Sequence, residues 1–320
     1  MPEVLCGVDI GGTKCSIALI DKQGKILDKI YTCAHVEEEE EDGMVRMVAG
    51  HVKELLQRNQ LKPTDIPALG VGCAGHIRFS DGVIVTTSNL EGFDNYPLRD
   101  KLQSHFEVPV ILDNDANAQA VGEHKFGAGK GFEDMIFVTI STGIGAGLIL
   151  NGKAYRGMSG TAGEFGHTIV EPNSELVCSC GNRGCLMACA CGMALPHLFK
   201  KKLEEGMETL IKMPPNFNVS KINGQTLKKG LERKDPLSKA VISDSAYYVG
   251  IGLYNLFQTL NPPLIVLGGG LTNWGDFYLD KIKETFYELA GDMLVDPIEI
   301  TLSHIIGDAG VIGAAALSLD

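Results

Sequence analysis

The chain has 320 residues, of which 40 are Asp or Glu and 28 are Lys or Arg, and its formal net charge at pH 7 is −12. This charge argues against a surface built for nucleic acid or anionic lipid, since both need clustered Lys and Arg. No apolar run approaches the roughly 20 residues of a membrane helix, and residues 1–7 lack the features of a signal peptide. We therefore expect about two domains, a cytoplasmic location, and no nucleic-acid or membrane partner.

Apolar runs and turn residues predict strands and helices that alternate along the chain. The predicted strands are residues 4–10, 15–20, 25–32, 68–73, 108–112, 135–140, 146–150, 264–267 and 298–302. The predicted helices are residues 44–60, 98–105, 116–126, 236–260, 277–290 and 309–317. The acidic run 37–42 is interpreted as a solvated helix start. This alternation is typical of an α/β protein.

Three glycine-rich turns follow or join predicted strands, at residues 9–14 (DIGGTK), 141–147 (STGIGAG) and 268–270 (GGG). Glycine lets backbone N–H groups approach a phosphate closely, although a single turn of this kind is more often structural. A Walker A loop is absent from the sequence. Residues 70–75 (GVGCAG) match the dinucleotide pattern G-x-G-x-x-G, but the β-rich residues 83–85 follow where a helix is needed. We interpret that match as structural.

Two polar motifs follow. Residues 113–118 (DNDANA) come directly after a predicted strand and open a predicted helix. An Asp at this point can cap the helix, or it can project into a cleft and accept a proton from a hydroxyl group. Residues 163–167 (GEFGH) place a carboxylate three residues before an imidazole.

The chain has nine cysteines, an odd number that cannot all pair within one chain. One histidine and three closely spaced cysteines supply the ligand count of a closed structural zinc site. These predicted zinc ligands are His167, Cys178, Cys180 and Cys185. Gly181 and Gly184 provide the tight turns that chelation by close neighbours requires. Cys189 and Cys191 are interpreted as buried free thiols.

Together these motifs resemble the repressor–ORF–kinase (ROK) family of sugar kinases over essentially the whole chain. The most specific parts are residues 9–14, the pair Asn114-Asp115, residues 163–167, and the CSCGNRGC run at 178–185. The resemblance implies a two-domain α/β ATPase fold of the actin and hexokinase (ribonuclease H-like) kind, with nucleotide bound in the cleft between the domains. It implies ATP- and Mg²⁺-dependent transfer of the γ-phosphoryl group to a hexose, usually at the 6-hydroxyl.

The resemblance also implies roles for individual residues. Asp115 corresponds to the general base. The implied sugar contacts are Asn89, Asn114, Asp115, Glu164 and His167. The implied nucleotide, phosphate and metal contacts are Asp9, Gly11, Gly12, Thr13, Lys14, Thr142, Gly143, Gly145, Gly269 and Gly270. We expect a small domain of residues 1–117 plus 305–320, a large domain of residues 118–304 with the zinc loop, and a homodimer or homotetramer.

One position departs from the family pattern. Family kinases usually carry Glu two residues after the last zinc cysteine, where it contacts the sugar near C1 and C2, and this chain has Met187 there. Glucose is the first choice of substrate, and N-acetylmannosamine, N-acetylglucosamine and allose are the alternatives. A family repressor needs an N-terminal helix-turn-helix, for which the three residues before the first predicted strand leave no room. A non-catalytic sugar-binding regulator is a remote alternative, against which the intact Asp115 and phosphate loops argue.

Overall fold

The computed structural model describes residues 4–34, 42–87, 90, 92–214 and 216–320. The strands are β1 (Val4–Ile10), β2 (Lys14–Asp21), β3 (Ile26–Cys33), β4 (Leu69–Cys73), β5 (His76–Arg78), β6 (Val83–Thr86), β7 (Val110–Asn114), β8 (Met135–Ile140), β9 (Ile144–Leu150), β10 (Lys153–Tyr155), β11 (Leu264–Gly268) and β12 (Glu299–Leu302). The helices are α1 (Gly43–Arg58), α2 (Leu98–Gln103), α3 (Asp115–Phe126), α4 (Leu186–Ala190), α5 (Leu195–Glu204), α6 (Gly224–Glu232), α7 (Pro236–Leu260), α8 (Asp276–Ala290) and α9 (Ala309–Ala316). Among these described residues, no helix combines the length and apolar character that a bilayer crossing requires.

The first sheet has the strand order β3-β2-β1-β4-β7. Strands β1, β2 and β3 pair antiparallel, whereas β1, β4 and β7 pair parallel. Side chains alternate between two apolar clusters, so that Cys6, Val8 and Ile10 pack with α1 while Leu5 packs with α9. Gly7 lies on the α9 face, where a Cβ would lie 2.2 Å from a backbone oxygen of α9. This glycine therefore lets α9 approach the strand closely.

The second sheet has the strand order β10-β9-β8-β11-β12. Strands β9 and β10 pair antiparallel, and β11 and β12 pair parallel. The chain divides into two compact units. The first unit contains the described residues up to Phe137, Gly147–Gly163 and Ser303–Asp320, and the second contains Val138–Ala146 and Glu164–Leu302.

The prediction of an α/β protein is confirmed, with differences in detail. The predicted domain limit at residue 117 falls inside α3, and the whole of α3 belongs to the first unit because it packs on α9 and β4. The GVGCAG match is followed by strand β5 rather than a helix, as the structural interpretation required. Helix α1 begins at Gly43, and residues 37–41 of the acidic run lie outside the described residues. The short elements β5, β10, α5 and α6 were not predicted.

Candidate active site

Three neighbouring parallel strands bring two acidic residues to the same level of the first sheet. Asp9 on β1 is in register with Gly72 on β4, which is in register with Asp113 on β7. A Cβ on Gly72 would lie 3.3 Å from a side-chain carbon of α3, so the glycine lets this helix lie close. Strand β7 ends at Asn114, and Asp115 begins α3. The turn thus lies at the carboxyl edge of the sheet, where open α/β sheets bind ligands.

Asn114, rather than an aspartate, caps helix α3. Its side-chain oxygen accepts hydrogen bonds from the backbone N–H groups of Ala116, at 2.8 Å, and Asn117, at 3.4 Å. Its Nδ2 donates to the carbonyl of Gly75 at 3.0 Å. Asp115 stands in the first helical turn, half-buried, and its Oδ1 accepts from the N–H of Ala116 at 3.0 Å. The cap role therefore falls to Asn114 and not to Asp115.

Asp9 lies beside the first turn of α9. A Cβ on Gly310 would lie only 2.2 Å from Oδ2 of Asp9, so a side chain at position 310 would displace this carboxyl group. Burial, and after it the negative charge of Asp115, raises the pKa of Asp9 from 3.8 to about 7. A bound cation would favour the ionised form of this pair, because opposite charge lowers the pKa of a carboxyl group. The charge of Asp115 thus adds to that of Asp9 and favours a cation at Asp9.

The first glycine loop borders a cavity of about 850 Å³ in the first unit. The N–H of Gly11 donates to the carbonyl of Lys14 at 2.9 Å and closes the turn between β1 and β2. The cavity is lined by Asp9, Gly11, Gly12, Thr13, Lys14, Ser16, Tyr31, Thr32, Cys33, Gly307, Asp308, Gly310 and Val311. The five residues predicted for phosphate and metal in this loop therefore surround one space.

The remaining predicted nucleotide residues lie in the second unit, in the turns that follow β8 and β11 and at the start of β9. The N–H of Ser141 donates to the carbonyl of Gly143 at 2.8 Å, and the N–H of Met193 donates to the carbonyl of Thr142 at 3.1 Å. Gly269 has a φ of +89°, and a Cβ there would lie 2.5 Å from the carbonyl oxygen of Ile140. The residues concerned are Thr142, Gly143, Gly145, Gly269 and Gly270. Both turns are thus shaped by close backbone approach.

The segment that carries Glu164 and His167 is anchored by Phe165, the residue directly after Glu164. Phe165 is buried, and a Cβ on Gly252 of α7 would lie 2.6 Å from its ring. Residues Phe165–His167 form a 3-10 turn in which the N–H of His167 donates to the carbonyl of Glu164 at 3.0 Å. The Nε2 atom of His167 lies 3.9 Å from Oε2 of Glu164. The carboxylate and one ring nitrogen therefore face the same side.

The predicted metal ligands converge in the second unit. Their ligand atoms all lie within 4.8 Å of one another. His167 Nδ1 is 3.4 Å from Cys178 Sγ, and Cys180 Sγ is 3.7 Å from Cys185 Sγ. Zinc–sulfur bonds of about 2.3 Å in a tetrahedron place sulfur atoms about 3.8 Å apart. The four donors therefore fit one tetrahedral zinc ion.

The backbone of the cysteine loop supports the same geometry. The N–H of Cys178 donates to the carbonyl of Asn182 at 2.8 Å, and Gly181 and Gly184 have φ values of +87° and +69°. A hydrogen bond from the backbone N–H of Asn182 is the main cause that lowers the pKa of Cys180 to about 7. A lowered pKa favours the thiolate, which is the form that binds metal.

The other predictions concern two thiols that follow the cysteine loop and one sugar contact. Cys189 and Cys191 are buried and lie outside the ligand set, as interpreted. Asn89 lies outside the described residues.

Sequence analysis missed Arg156, whose Nε donates to Oδ2 of the buried Asp113 at 2.7 Å. No motif marks this arginine, since a Tyr-Arg-Gly turn is also common on exposed surfaces. Its pairing with the DNDANA motif depends on a fold that brings residues 43 positions apart together.

Comparison with known proteins gives consistent matches over the full chain. The model of the ROK family matches residues 5–320. A glucokinase from Halalkalibacterium halodurans is 32% identical and covers 97% of this chain and 93% of that protein. A glucokinase from Thermotoga maritima is 31% identical, with 99% and 98% covered. A xylose repressor from Caldicellulosiruptor bescii is 30% identical and covers 98% of this chain and 77% of the repressor.

Solved structures give the same result. A ROK family glucokinase from Streptomyces griseus, in complex with glucose and AMPPNP, has a TM-score of 0.80 and 31% identity, and the match covers 98% of each chain. A ROK hexokinase from Thermus thermophilus has a TM-score of 0.81 and 29% identity, with 98% and 97% covered. These matches confirm the predicted actin- and hexokinase-like α/β fold.

Proposed function

Because the chain belongs to the ROK family, we propose that it is an ATP-dependent sugar kinase. It transfers the γ-phosphoryl group of ATP to the 6-hydroxyl of a hexose. Glucose is the first candidate substrate, because relatives at 31–32% identity over nearly the whole chain are glucokinases. The alternatives are N-acetylmannosamine, N-acetylglucosamine and allose.

The observation that carries this proposal is the acidic pair beside the first glycine loop. Asp9 and Asp115 are close enough for the charge of Asp115 to raise the pKa of Asp9, and Asp9 lines the same cavity as residues 11–14. Phosphoryl transfer is catalysed mainly by positioning and by charge stabilisation, so a carboxylate pair next to backbone N–H donors suits this reaction.

The two acids have different roles. Asp115 accepts the proton of the attacking hydroxyl group, a contribution worth about 10²–10⁴ in rate. Asp9, with its pKa near neutrality in the absence of a cation, would hold Mg²⁺, whose charge would neutralise that of the phosphates. Residues 11–14 and 142–145 supply backbone N–H groups for the phosphates, and Gly269 and Gly270 border the adenosine.

The sugar is bound by side chains that combine donors and acceptors, as vicinal hydroxyl groups require. Glu164 and the Nε2 atom of His167 face the same side in the second unit. Asn114 is a further proposed contact, and its Nδ2 donates to the carbonyl of Gly75. Asn89 is the remaining proposed contact.

A structural zinc ion bound by the four donors would hold the sugar-binding segment in place. Nδ1 of His167 faces Cys178, so zinc would bind this nitrogen and leave Nε2 for a sugar hydroxyl. Four protein ligands leave no open position for water, which makes the site structural rather than catalytic. The ligands are His167, Cys178, Cys180 and Cys185.

A coupled assay of ADP release over a panel of hexoses and N-acetylhexosamines tests the proposed function. We expect sugar-dependent ADP release with glucose and a 6-phosphate product that mass spectrometry and NMR identify. Sugar binding by calorimetry without turnover on any member of the panel would instead favour a non-catalytic regulator. Light scattering of the same preparation tests the expected homodimer or homotetramer.

A further inference from the structure

Arg156 forms an ion pair with the buried Asp113, two residues before the proposed base. Its side chain is 15% exposed and that of Asp113 is 2% exposed. Nε donates to Oδ2 of Asp113 at 2.7 Å, and Nη2 donates to Oδ2 of Asp320 at 2.9 Å. Nη1 donates to the carbonyl of Ala154 at 3.1 Å, and the guanidinium lies 3.9 Å from the ring centre of Phe79. The guanidinium is therefore fixed on several sides.

Asp113 transmits this constraint to the turn that carries the base. Its other oxygen, Oδ1, accepts from the N–H of Asn114 at 2.8 Å and from Nδ2 of Asn117 at 3.0 Å. Asn114 in turn caps the helix in which Asp115 is the first residue. One carboxylate thus ties Arg156 to the residues on both sides of Asp115.

The same arginine also closes the turn that leads toward Glu164. Its carbonyl accepts a hydrogen bond from the N–H of Ala162 at 3.1 Å. A Cβ on Gly160, within this turn, would lie 2.2 Å from the carbonyl oxygen of Ile77. The residues that precede Glu164 are therefore closely packed in the first unit.

The structure assigns to Arg156 the role of a positioning residue for the phosphoryl-transfer reaction, which acts through Asp113 on the proton acceptor Asp115. This inference rests on the proposed kinase function. A lysine would keep the charge but could not bond Asp113, Asp320 and the Ala154 carbonyl in one planar fork. Geometry, and not charge alone, is what the guanidinium contributes.

The test compares Arg156→Met and Arg156→Lys with Arg58→Met. Arg58 also pairs with an aspartate, Asp28, in the same unit, but its side chain is 46% exposed. We expect Arg156→Met to lower kcat by about 10- to 100-fold with less than about threefold change in the KM for sugar, since small misplacement of a reacting group costs up to about 100-fold. The kcat of Arg156→Lys should lie between those of Arg156→Met and the parent. The kcat of Arg58→Met should match that of the parent.

Hydrogen exchange separates this role from the activity itself. In Arg156→Met and Arg156→Lys, amides of residues 113–117 should exchange faster than in the parent, while those of α1 should not. This measurement needs no substrate, so it decides the role of Arg156 even if the parent phosphorylates no sugar and the proposed function fails. Unchanged exchange at 113–117 would overturn the inference, and so would a kcat of Arg156→Met within about threefold of the parent.

A double variant distinguishes positioning from simple charge neutralisation. Arg156→Met leaves the carboxylate of Asp113 buried without its cation, which is strongly destabilising. Arg156→Met combined with Asp113→Asn removes that charge and should recover Tm, also where the single variant fails to fold. We expect its kcat to stay at least about tenfold below the parent, because the constraint on the turn is still missing. Full recovery of kcat along with Tm would show that the arginine only neutralises Asp113.

Discussion

The base turn (residues 113–117) and the cysteine loop (residues 178–185) achieve local order by different means. Residues 113–117 are joined by direct hydrogen bonds, among them those from Asn114 and Asn117 to Asp113. In the cysteine loop, by contrast, the four side chains that point toward one another are a histidine and three thiols, with separations suited to a central ion. The first region is held by hydrogen bonds within the chain, whereas the second has a donor set and spacing that could hold a metal ion.

This difference has consequences for how each region fails. One hydrogen bond contributes about 1 kcal/mol, so a conservative substitution in this turn, such as Asp115→Asn, should alter chemistry while the unit stays folded. A metal site loses its ligand set as a whole, because binding energy and local folding are linked. The predictions below use substitutions that separate these two behaviours.

The largest effect is expected for Asp115→Asn. This change keeps the shape of the side chain and removes its basicity, so kcat should fall by about 10²–10⁴ while sugar binding is mostly kept. Steady-state kinetics and calorimetry with sugar measure the two parts. Asp100→Asn is the matched control, because Asp100 is 71% exposed on α2. Turnover of Asp115→Asn close to that of the control would contradict the assignment of the base.

The next effect concerns the metal. Freshly purified protein should contain one zinc per chain, and Cys185→Ser should lose it. Structural zinc in small peptides contributes about 10 kcal/mol or more, and a loss of even about 3 kcal/mol lowers Tm by about 6–12 °C in a unit of this size. Elemental analysis and calorimetry check both results.

Cys189→Ala serves as the control for the zinc prediction, since Cys189 is buried near the loop but outside the ligand set. It should keep one zinc per chain. A parent protein with well under one zinc per chain, or a Cys185→Ser variant with unchanged zinc content, would count against the site.

Local patterns predicted both regions because their residues are close in sequence. The cysteine spacing predicted four side chains whose ligand atoms lie within 4.8 Å of one another, the pair Asn114-Asp115 predicted the turn that opens α3, and hydrophobic runs predicted most strands. The residue that caps α3 was less well predicted. The sequence allowed an aspartate to cap this helix, whereas the side chain of Asn114 does so and Asp115 lies in the first turn.

The contacts that sequence did not reveal join distant parts of the chain. Arg156 contacts Asp113, which is 43 positions away in sequence, and Gly310 lies beside Asp9, which is near the other end of the chain. Such pairs follow from strand order and helix placement, which local periodicity does not determine. The short helices α5 and α6 were missed as well.

Met187, on α4 directly after the cysteine loop, tests whether the proposed sugar site is adapted to glucose. Its sulfur accepts from the N–H of Ile144 at 3.2 Å, and a Cβ on Gly166 would lie 2.8 Å from its terminal methyl group. Met187→Glu would offer a sugar hydroxyl a charge-assisted hydrogen bond worth about 1.5–3 kcal/mol. We expect kcat/KM for glucose to rise by about tenfold, near the lower end of that range because the carboxylate can also accept from Ile144.

Met187→Gln and Met193→Glu are the controls for this change, the first neutral and the second an added charge at an exposed position. A fall in activity on an N-acetylhexosamine or an epimer, with no gain on glucose, would indicate a pocket adapted to that substrate. No change on any sugar would mean that residue 187 does not face the substrate.

The smallest effect is the pH dependence of stability at Asp9. Because the pKa of Asp9 is raised from 3.8 to about 7, the folded state binds this proton more tightly than the unfolded state. Its contribution to the free energy of unfolding therefore decreases as pH rises from about 4 to about 7 and stays low above that.

Asp9→Asn lacks this titration, so its Tm minus that of the parent should be larger at pH 8 than at pH 5. Partial exposure of Asp9 screens the effect, and we expect a difference of roughly 2–4 °C, which corresponds to about 1 kcal/mol. Asp100→Asn should show no such trend, and Mg²⁺ with ATP should reduce it in the parent, since a bound cation stabilises the ionised carboxyl group. A Tm difference that shrinks as pH rises would mean that Asp9 is stabilised, and not strained, in its ionised form.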